Sequence, residues 1–194
     1  MTYPDSIANA LASIEPTELP SKANGVGMAV SFRCGSFVRF SICVNLNAAT
    51  IDSATFRTDG CGYMLAAADL FSKWLSHRKL SELHGLNDLE LLDLFEKEFP
   101  SIPSDRAECV RLCIVAIGSA LAEYRASRVA EFTGDSALVC SCFGVSEDTI
   151  ANEIINYSLE TVDEVASRCN AGSGCGSCRM LIEELLSAVD NRGI

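Results

Sequence analysis

The sequence predicts an α+β domain over residues 1–130, with a small antiparallel sheet and helices, followed by a small, mainly α-helical domain over residues 131–194. The prediction starts from apolar residues that alternate along residues 36–46, as they do in a half-buried strand. From Gly62 onward apolar residues recur every three or four positions, as in amphipathic helices. Beyond a polar stretch that contains Gly134, helical patterns follow.

The first domain is predicted to contain a pair of strands. The first strand places apolar residues at every second position: Val38, Phe40, Ile42, Val44 and Leu46. The second strand covers residues 51–60 and follows a short turn that contains Asn47. A turn this short favours antiparallel pairing of the two strands.

Helices complete the first domain. One begins at Gly62, and a second begins after Asn87 and ends before Pro100, because proline cannot continue a helix. A third is predicted from about Ser104 to Arg125.

The second domain is predicted to consist of helices over residues 146–158, 161–168 and 177–189. Thr161 and Glu164 have the spacing of a capping box, in which the side chain of each residue accepts a hydrogen bond from the backbone amide of the other. This pattern fixes the start of the middle helix.

Composition excludes several classes of protein. The chain has 194 residues, ten cysteines and a net charge of −11. The charge argues against nucleic acid and anionic membranes as partners. The opening MTYPDSIANALAS lacks the pattern of a signal peptide, and the longest apolar stretch, LCIVAIGSALA, is too short to cross a bilayer. We therefore expect a cytoplasmic protein, in which close cysteine pairs indicate metal or redox chemistry rather than disulfides.

The second domain carries two close pairs of cysteines. Cys140 and Cys142 form C-x-C, and Cys175 and Cys178 form C-x-x-C at the start of a helix. Four cysteinates are the usual ligands of a [2Fe–2S] cluster. Small residues between them let the backbone approach such a cluster: Gly172, Gly174 and Gly176. The alternatives are structural zinc, whose ligand pairs more often have C-x₂₋₄-C spacing, and ordinary buried thiols. Cys169 is interpreted as a packing residue.

Another set of cysteines lies at element boundaries of the first domain. Cys34 precedes the strand pair, and Cys61 and Cys109 lie near helix starts, where thiol pKa values are lowered. Three thiols leave a coordination position open, so this site can bind a metal or cluster and release it. The alternative is that these cysteines are small buried hydrophobes. Cys113 lies one turn after Cys109 and is a possible fourth ligand, although packing fits it too.

Two sequence resemblances extend this interpretation. The segment VCSCFGVSEDTI with VASRCNAGSGCGSCRMLIEELL resembles the bacterioferritin-associated-ferredoxin type of [2Fe–2S] domain. The segments GVGMAVSFRCGSFVRFSICVN, IDSATFRTDGCGYMLAAADLFSKWL and ECVRLCIVAIGSALAEYR resemble the IscU/NifU scaffold domain. The resemblance implies a permanent cluster on the four second-domain cysteines and a transient cluster on Cys34, Cys61 and Cys109. It also implies a chain without the third C-terminal domain usual in NifU-like proteins.

The chain departs from the scaffold pattern at three places. Ser36 stands where the family has aspartate after Cys-Gly, and Glu108 stands where it has histidine before the third cysteine. The family's Leu-Pro-Pro-x-Lys motif appears as residues 102–106, Ile-Pro-Ser-Asp-Arg. Glu108 is a further candidate ligand. His77 and His84 lie in polar surroundings and are interpreted as solvated surface residues.

The resemblance implies a scaffold that builds iron–sulfur clusters and delivers them, without being an enzyme. Expected partners are a cysteine desulfurase as the sulfur source, recipient apo iron–sulfur proteins, an electron donor and a second copy in a homodimer. The permanent cluster would supply electrons for sulfur reduction. A second hypothesis follows from the departures: an electron-transfer protein in which the first domain is only a docking platform.

Overall fold

The computed structural model describes residues 3–14, 23–83, 86–100 and 102–190. Contacts divide the chain into two compact units. The first unit comprises residues 1–44, 51–78 and 86–123, and the second comprises residues 45–50, 79–85 and 124–194. The division falls at Tyr124, whereas the domain boundary after residue 130 stays a prediction.

The first unit contains a sheet of strands in the order β1-β2-β3. The strands are β1 (Gly25–Val30), β2 (Phe37–Asn45) and β3 (Thr50–Thr58), and β1 runs antiparallel to β2 with Gly27 opposite Phe40. The predicted pair, β2 and β3, is confirmed. Strand β1 was not predicted, because glycines at positions 25 and 27 interrupt its apolar pattern.

The helices of the first unit are α1 (Asp5–Ser13), α2 (Gly62–Leu75), α3 (Asp88–Glu98) and α4 (Ala107–Glu131). The predicted helix starts are confirmed for α2 and for α3, where the Asn87 side chain accepts hydrogen bonds from the amides of Leu89 and Glu90. Helix α4 continues beyond the predicted end at Arg125. Helix α1 was not predicted.

Close contact between β1 and α4 gives the first unit its core. A Cβ atom on Gly27 would lie 2.1 Å from the Ala116 carbonyl oxygen, so only glycine allows this approach. Large apolar side chains are fully buried: Phe40, Ile42, Phe71, Phe95 and Ile117. The core holds the loops that carry the first cysteine set.

The second unit is mainly helical. A short antiparallel hairpin of β4 (Leu138–Cys140) and β5 (Val145–Ser146) precedes α5 (Glu147–Tyr157), α6 (Val162–Cys169) and α7 (Arg179–Asp190). The three helices and the Thr161–Glu164 capping box are confirmed. The hairpin was not predicted, because two strands of this length carry no readable alternation.

Within residues 3–14, 23–83, 86–100 and 102–190, no helix combines the length and the apolar character needed to span a bilayer.

Candidate metal centres

The C-x-C and C-x-x-C pairs line a single cavity in the second unit. Cys140 ends β4 and Cys142 lies in the turn that follows it, and the segment before α7 supplies Cys175 and Cys178. The cavity has a volume of about 230 Å³. Three of the four cysteines are buried within the unit's apolar core, and Cys175 packs partly buried against it.

The four thiols form one continuous chain of sulfur contacts. Cys142 bonds both Cys140 and Cys175, and Cys178 bonds Cys140. Hydrogen bonds from Cys142 and Cys178 lower the pKa of Cys140 to about 2. The pKa of Cys175 is lowered to about 4, mainly by its hydrogen bond with Cys142. The pKa values of Cys142 and Cys178 are raised, because each donates its proton to Cys140. The charge on each sulfur therefore depends on its neighbours in the cavity.

The backbone around the cavity suits an anionic sulfur-rich group. Amides of Gly172 and Phe143 donate to the Cys140 sulfur, and the Cys175 amide donates to Cys142. A Cβ on Gly174 would lie 2.8 Å from Cys142 Cβ and 2.9 Å from its sulfur. Glycine is therefore required there by space, and a set of four cysteine donors fits a [2Fe–2S] cluster.

Helix α4 supplies further contacts to this cavity within the second unit. The Tyr124 hydroxyl donates a buried 2.8 Å hydrogen bond to the Cys142 carbonyl oxygen. Burial raises the pKa of Tyr124 to about 12, so the hydroxyl stays protonated at neutral pH. The Arg125 side chain bonds the Cys175 sulfur. Neither residue was predicted, because both precede the cysteine motif and carry no spacing signal of their own.

In the first unit, two of the three predicted cysteines are in contact. The sulfurs of Cys61, the N-cap residue of α2, and Cys109, in the first turn of α4, lie 3.5 Å apart. Cys34 is exposed in the loop between β1 and β2. That loop is closed by backbone bonds of 2.8 Å from Ser31 to Ser36 and 2.9 Å from Gly35 to Ser31.

The environments of these thiols differ. Hydrogen bonds from the side chain of Ser31, and then from the side chain and backbone of Ser36, lower the pKa of the exposed Cys34. Burial, and then the hydrogen bond and charge of Cys61, raise the pKa of Cys109 to about 12. The helix N-terminus was expected to lower the pKa of Cys109, and this was wrong because burial outweighs the helix dipole. Cys34 is therefore the accessible nucleophile of the set.

The two possible extra ligands have different surroundings. Cys113 is buried, and its thiol donates to the carbonyl oxygens of Cys109 at 3.4 Å and Met64 at 3.7 Å. Burial raises the pKa of Cys113, so its placement fits packing. Glu108 is partly exposed and lies 3.5 Å from both the Ser31 hydroxyl and the Arg33 guanidinium. Among the described residues, no group of three or more His, Cys, Asp or Glu side chains could hold a single metal ion.

The remaining predicted positions are peripheral. His77 is exposed. Cys169 packs partly buried against the core of the second unit. His84 lies outside the described residues.

Two family models match the chain. The NifU-like N terminal domain model matches residues 12–131, and the BFD-like [2Fe-2S] binding domain model matches residues 138–188. The chain belongs to the NifU-like N-terminal domain family. Its [2Fe–2S] domain follows this domain directly, and the four cavity cysteines all lie inside the second match.

Named relatives of this family match different shares of the chain. Nitrogen fixation protein NifU of Nostoc sp. is 28% identical over 178 residues, covering 91% of this chain and 58% of that protein. NifU of Leptolyngbya boryana is 39% identical over 89 residues, or 45% of this chain and 43% of that protein. The iron-sulfur cluster assembly scaffold protein IscU of Escherichia coli is 29% identical over 107 residues, or 55% of this chain and 79% of that protein. The chain thus spans 58% of the length of the Nostoc relative.

Proposed function

We propose that this protein is a scaffold for iron–sulfur cluster assembly that also carries a permanent [2Fe–2S] cluster. The observation that carries the proposal is the presence of two unlike cysteine sites in one chain. One is a buried cavity lined by two close cysteine pairs. The other combines the exposed Cys34 with the touching pair Cys61 and Cys109. A closed site retains its group, whereas an open site can receive and release one.

In this proposal the permanent cluster is held by the four cavity cysteines, Cys140, Cys142, Cys175 and Cys178. Their contacts, the amides aimed at their sulfurs and the small residue at position 174 support it. When bound, such a cluster supplies one-electron transfer. Structural zinc in the same cavity is the alternative, and zinc would give no visible absorption and no acid-labile sulfide.

The cargo cluster is assembled on Cys34, Cys61 and Cys109. Cys34 suits the capture of sulfur because hydrogen bonds from serine hydroxyls favour its thiolate and the side chain is exposed. Its thiolate attacks the outer sulfur of the persulfide on a cysteine desulfurase; the donor's S–S bond breaks and the donor cysteine leaves as a thiolate. An electron donor then reduces the captured sulfur to sulfide, and ferrous iron joins it. Glu108, close to the Cys34 loop, is a candidate ligand to that iron.

The proposal extends to the protein's surroundings. Its partners are a cysteine desulfurase, an electron donor and recipient apo iron–sulfur proteins, and it acts as a homodimer in the cytoplasm. It does not turn over a substrate as an enzyme, and it binds neither nucleic acid nor membranes. The family match supports the desulfurase and the apoproteins as partners, and the net charge of −11 argues against nucleic acid and anionic membranes.

The test is anaerobic assembly on the full-length protein. The isolated protein is mixed with a cysteine desulfurase, L-cysteine and ferrous iron, and iron, sulfide and visible absorption are measured before and after. A scaffold gains cluster beyond its resident content, and the Cys34→Ser variant gains less. A protein that gains none contradicts the scaffold function.

Specific observations favour a second candidate, an electron-transfer protein whose first unit is only a docking platform. Ser36 and Glu108 depart from the scaffold pattern, and the sulfurs of Cys61 and Cys109 are in contact while Cys34 is exposed in a loop of its own. This candidate predicts a normal resident cluster and no gain in the assembly experiment.

A further inference from the structure

The final turns of α4 contact residues that line the four-cysteine cavity. Tyr124 lies on α4 at the position where the second unit begins, and its side chain is 2% exposed. Its hydroxyl donates the 2.8 Å bond to the Cys142 carbonyl oxygen. It lies outside residues 138–188, which match the [2Fe–2S] domain model. The cysteine motif therefore does not contain every residue that contacts the cavity.

The bonded carbonyl belongs to the turn that presents the first cysteine pair. Residues 141–144 connect β4 to β5, and the Gly144 amide closes this turn by bonding the Cys140 carbonyl at 2.8 Å. Cys142 lies at the centre of the turn and contacts sulfurs on both sides. A buried carbonyl that loses its donor is unfavourable, so the Tyr124 hydroxyl restricts where this turn holds its two sulfurs.

The next residue of the helix places a positive charge on the opposite cysteine pair. The Arg125 side chain lies within hydrogen-bonding reach of the Cys175 sulfur. Successive residues of one helix thus contact the two separate loops that carry the cysteines.

We propose that Tyr124 and Arg125 are positioning residues of the [2Fe–2S] site, with Tyr124 fixing the Cys142 turn and Arg125 tuning the electron affinity of the cluster from the Cys175 side. This inference rests on the proposed resident cluster. Hydrogen bonds and charges around the sulfurs set the reduction potential of such clusters. Reduction adds negative charge, so a nearby guanidinium stabilises the reduced form and raises the potential.

The first test replaces Tyr124 with phenylalanine in the full-length holoprotein. Tyr124→Phe keeps the ring and removes only the donor, and we expect the resident cluster to be lost to an iron chelator about three to ten times faster, as the loss of one hydrogen bond allows. Tyr157→Phe is the matched control, because Tyr157 is 55% exposed on α5 of the same unit. The visible circular dichroism of the cluster should change in the first variant and not in the second.

The second test changes the charge. Arg125→Gln should lower the midpoint potential of the resident cluster, and Arg125→Lys should keep most of the wild-type value. Arg168→Gln is the control, because Arg168 is paired with Glu153 at 3.0 Å and should leave the potential unchanged. Far-UV circular dichroism of the apoproteins checks that each variant folds.

The outcomes separate the inference from the function on which it rests. Wild-type protein without resident iron and sulfide overturns the proposed cluster itself. A loaded wild type with unchanged cluster loss in Tyr124→Phe and unchanged potential in Arg125→Gln overturns only the inference. If Tyr124→Phe does not fold, the two Arg125 variants test the inference. Equal midpoint potentials for Arg125→Gln and Arg125→Lys overturn the inference, and a lower potential for Arg125→Gln supports it.

Discussion

The residue at position 36 is one of two serines that surround the Cys34 thiol. The Ser31 hydroxyl is the main cause of the lowered pKa of Cys34, and the Ser36 hydroxyl and amide add to that effect. Serine is neutral at pH 7 and competes weakly for iron, whereas aspartate is an anionic oxygen ligand. In the proposed function, Ser36 therefore favours the capture of sulfur and does not assist the release of iron.

Replacement of Ser36 tests this interpretation. Ser36→Asp should speed transfer of a reconstituted cluster to an apo-ferredoxin, because a carboxylate at this position competes with thiolate and sulfide at iron. Ser36→Ala should leave transfer slow. Transfer is followed by circular dichroism on full-length protein, with the resident cluster's spectrum recorded before reconstitution and subtracted. Equal rates for the three proteins would mean that residue 36 does not govern release.

Single cysteines of the two sites should have separate effects. Cys175→Ser removes one ligand from the four-cysteine cavity and should abolish the visible absorption of the isolated protein. Cys61→Ser should leave that absorption intact, because Cys61 contacts Cys109 in the other unit. Absorption that survives Cys175→Ser would contradict the assignment of the resident site.

At the scale of elements, the close approach of β1 to α4 supports the first cysteine site. Strand β1 leads into the Cys34 loop, and α4 carries Cys109 in its first turn. Gly27 allows the contact because a side chain there would meet the Ala116 carbonyl. The close packing of β1 against α4 therefore requires that residue 27 has no side chain.

Two glycine substitutions should change stability in opposite directions. Gly27→Ala should lower the free energy of unfolding by about 1–3 kcal/mol, because a Cβ 2.1 Å from a backbone oxygen forces the elements apart. Gly118→Ala is the control within α4, where nothing lies within 4 Å of the added Cβ, and it should raise stability by about 0.5–1 kcal/mol. Urea unfolding of the apoproteins measures both. A neutral Gly27→Ala would contradict the packing described for β1.

At the scale of the whole molecule, the cluster ties together segments that are distant in the chain. The two cysteine pairs are separated by 32 residues, and the acidic region after Ala130 has eleven acidic against three basic residues. An unfolded chain does not present this ligand set, so cluster binding adds to the stability of the folded unit.

Removal of the cluster should therefore destabilise the second unit. Removal of the cluster with a chelator under anaerobic conditions should lower the melting temperature at which the second unit unfolds in the full-length protein. The Cys175→Ser variant should melt at the same temperature as the apoprotein. Scanning calorimetry of the holoprotein, the apoprotein and the variant measures this. A melt that is unchanged by chelation would show that cluster binding and folding are not coupled.

The sequence by itself determined the two-part organisation and indicated the four cysteines that line one cavity. Alternation identified β2 and β3, helical spacing and caps identified α2, α3 and the helices of the second unit, and the cysteine spacing indicated the four-thiol cavity. These are local patterns, so they can be read along the chain. Strand β1 and the β4–β5 hairpin could not, because glycines interrupt the apolar pattern of β1, and β4 and β5 are too short to show alternation.

Only the tertiary structure decided the surroundings of each thiol. It buried Cys113 in the core, exposed Cys34 and raised the pKa of Cys109 against the expectation from its helix start. It also brought Tyr124 to the Cys142 carbonyl, a contact that no motif encodes. Desolvation and hydrogen bonding depend on neighbours that folding supplies from distant positions, and spacing along the chain carries no information about them.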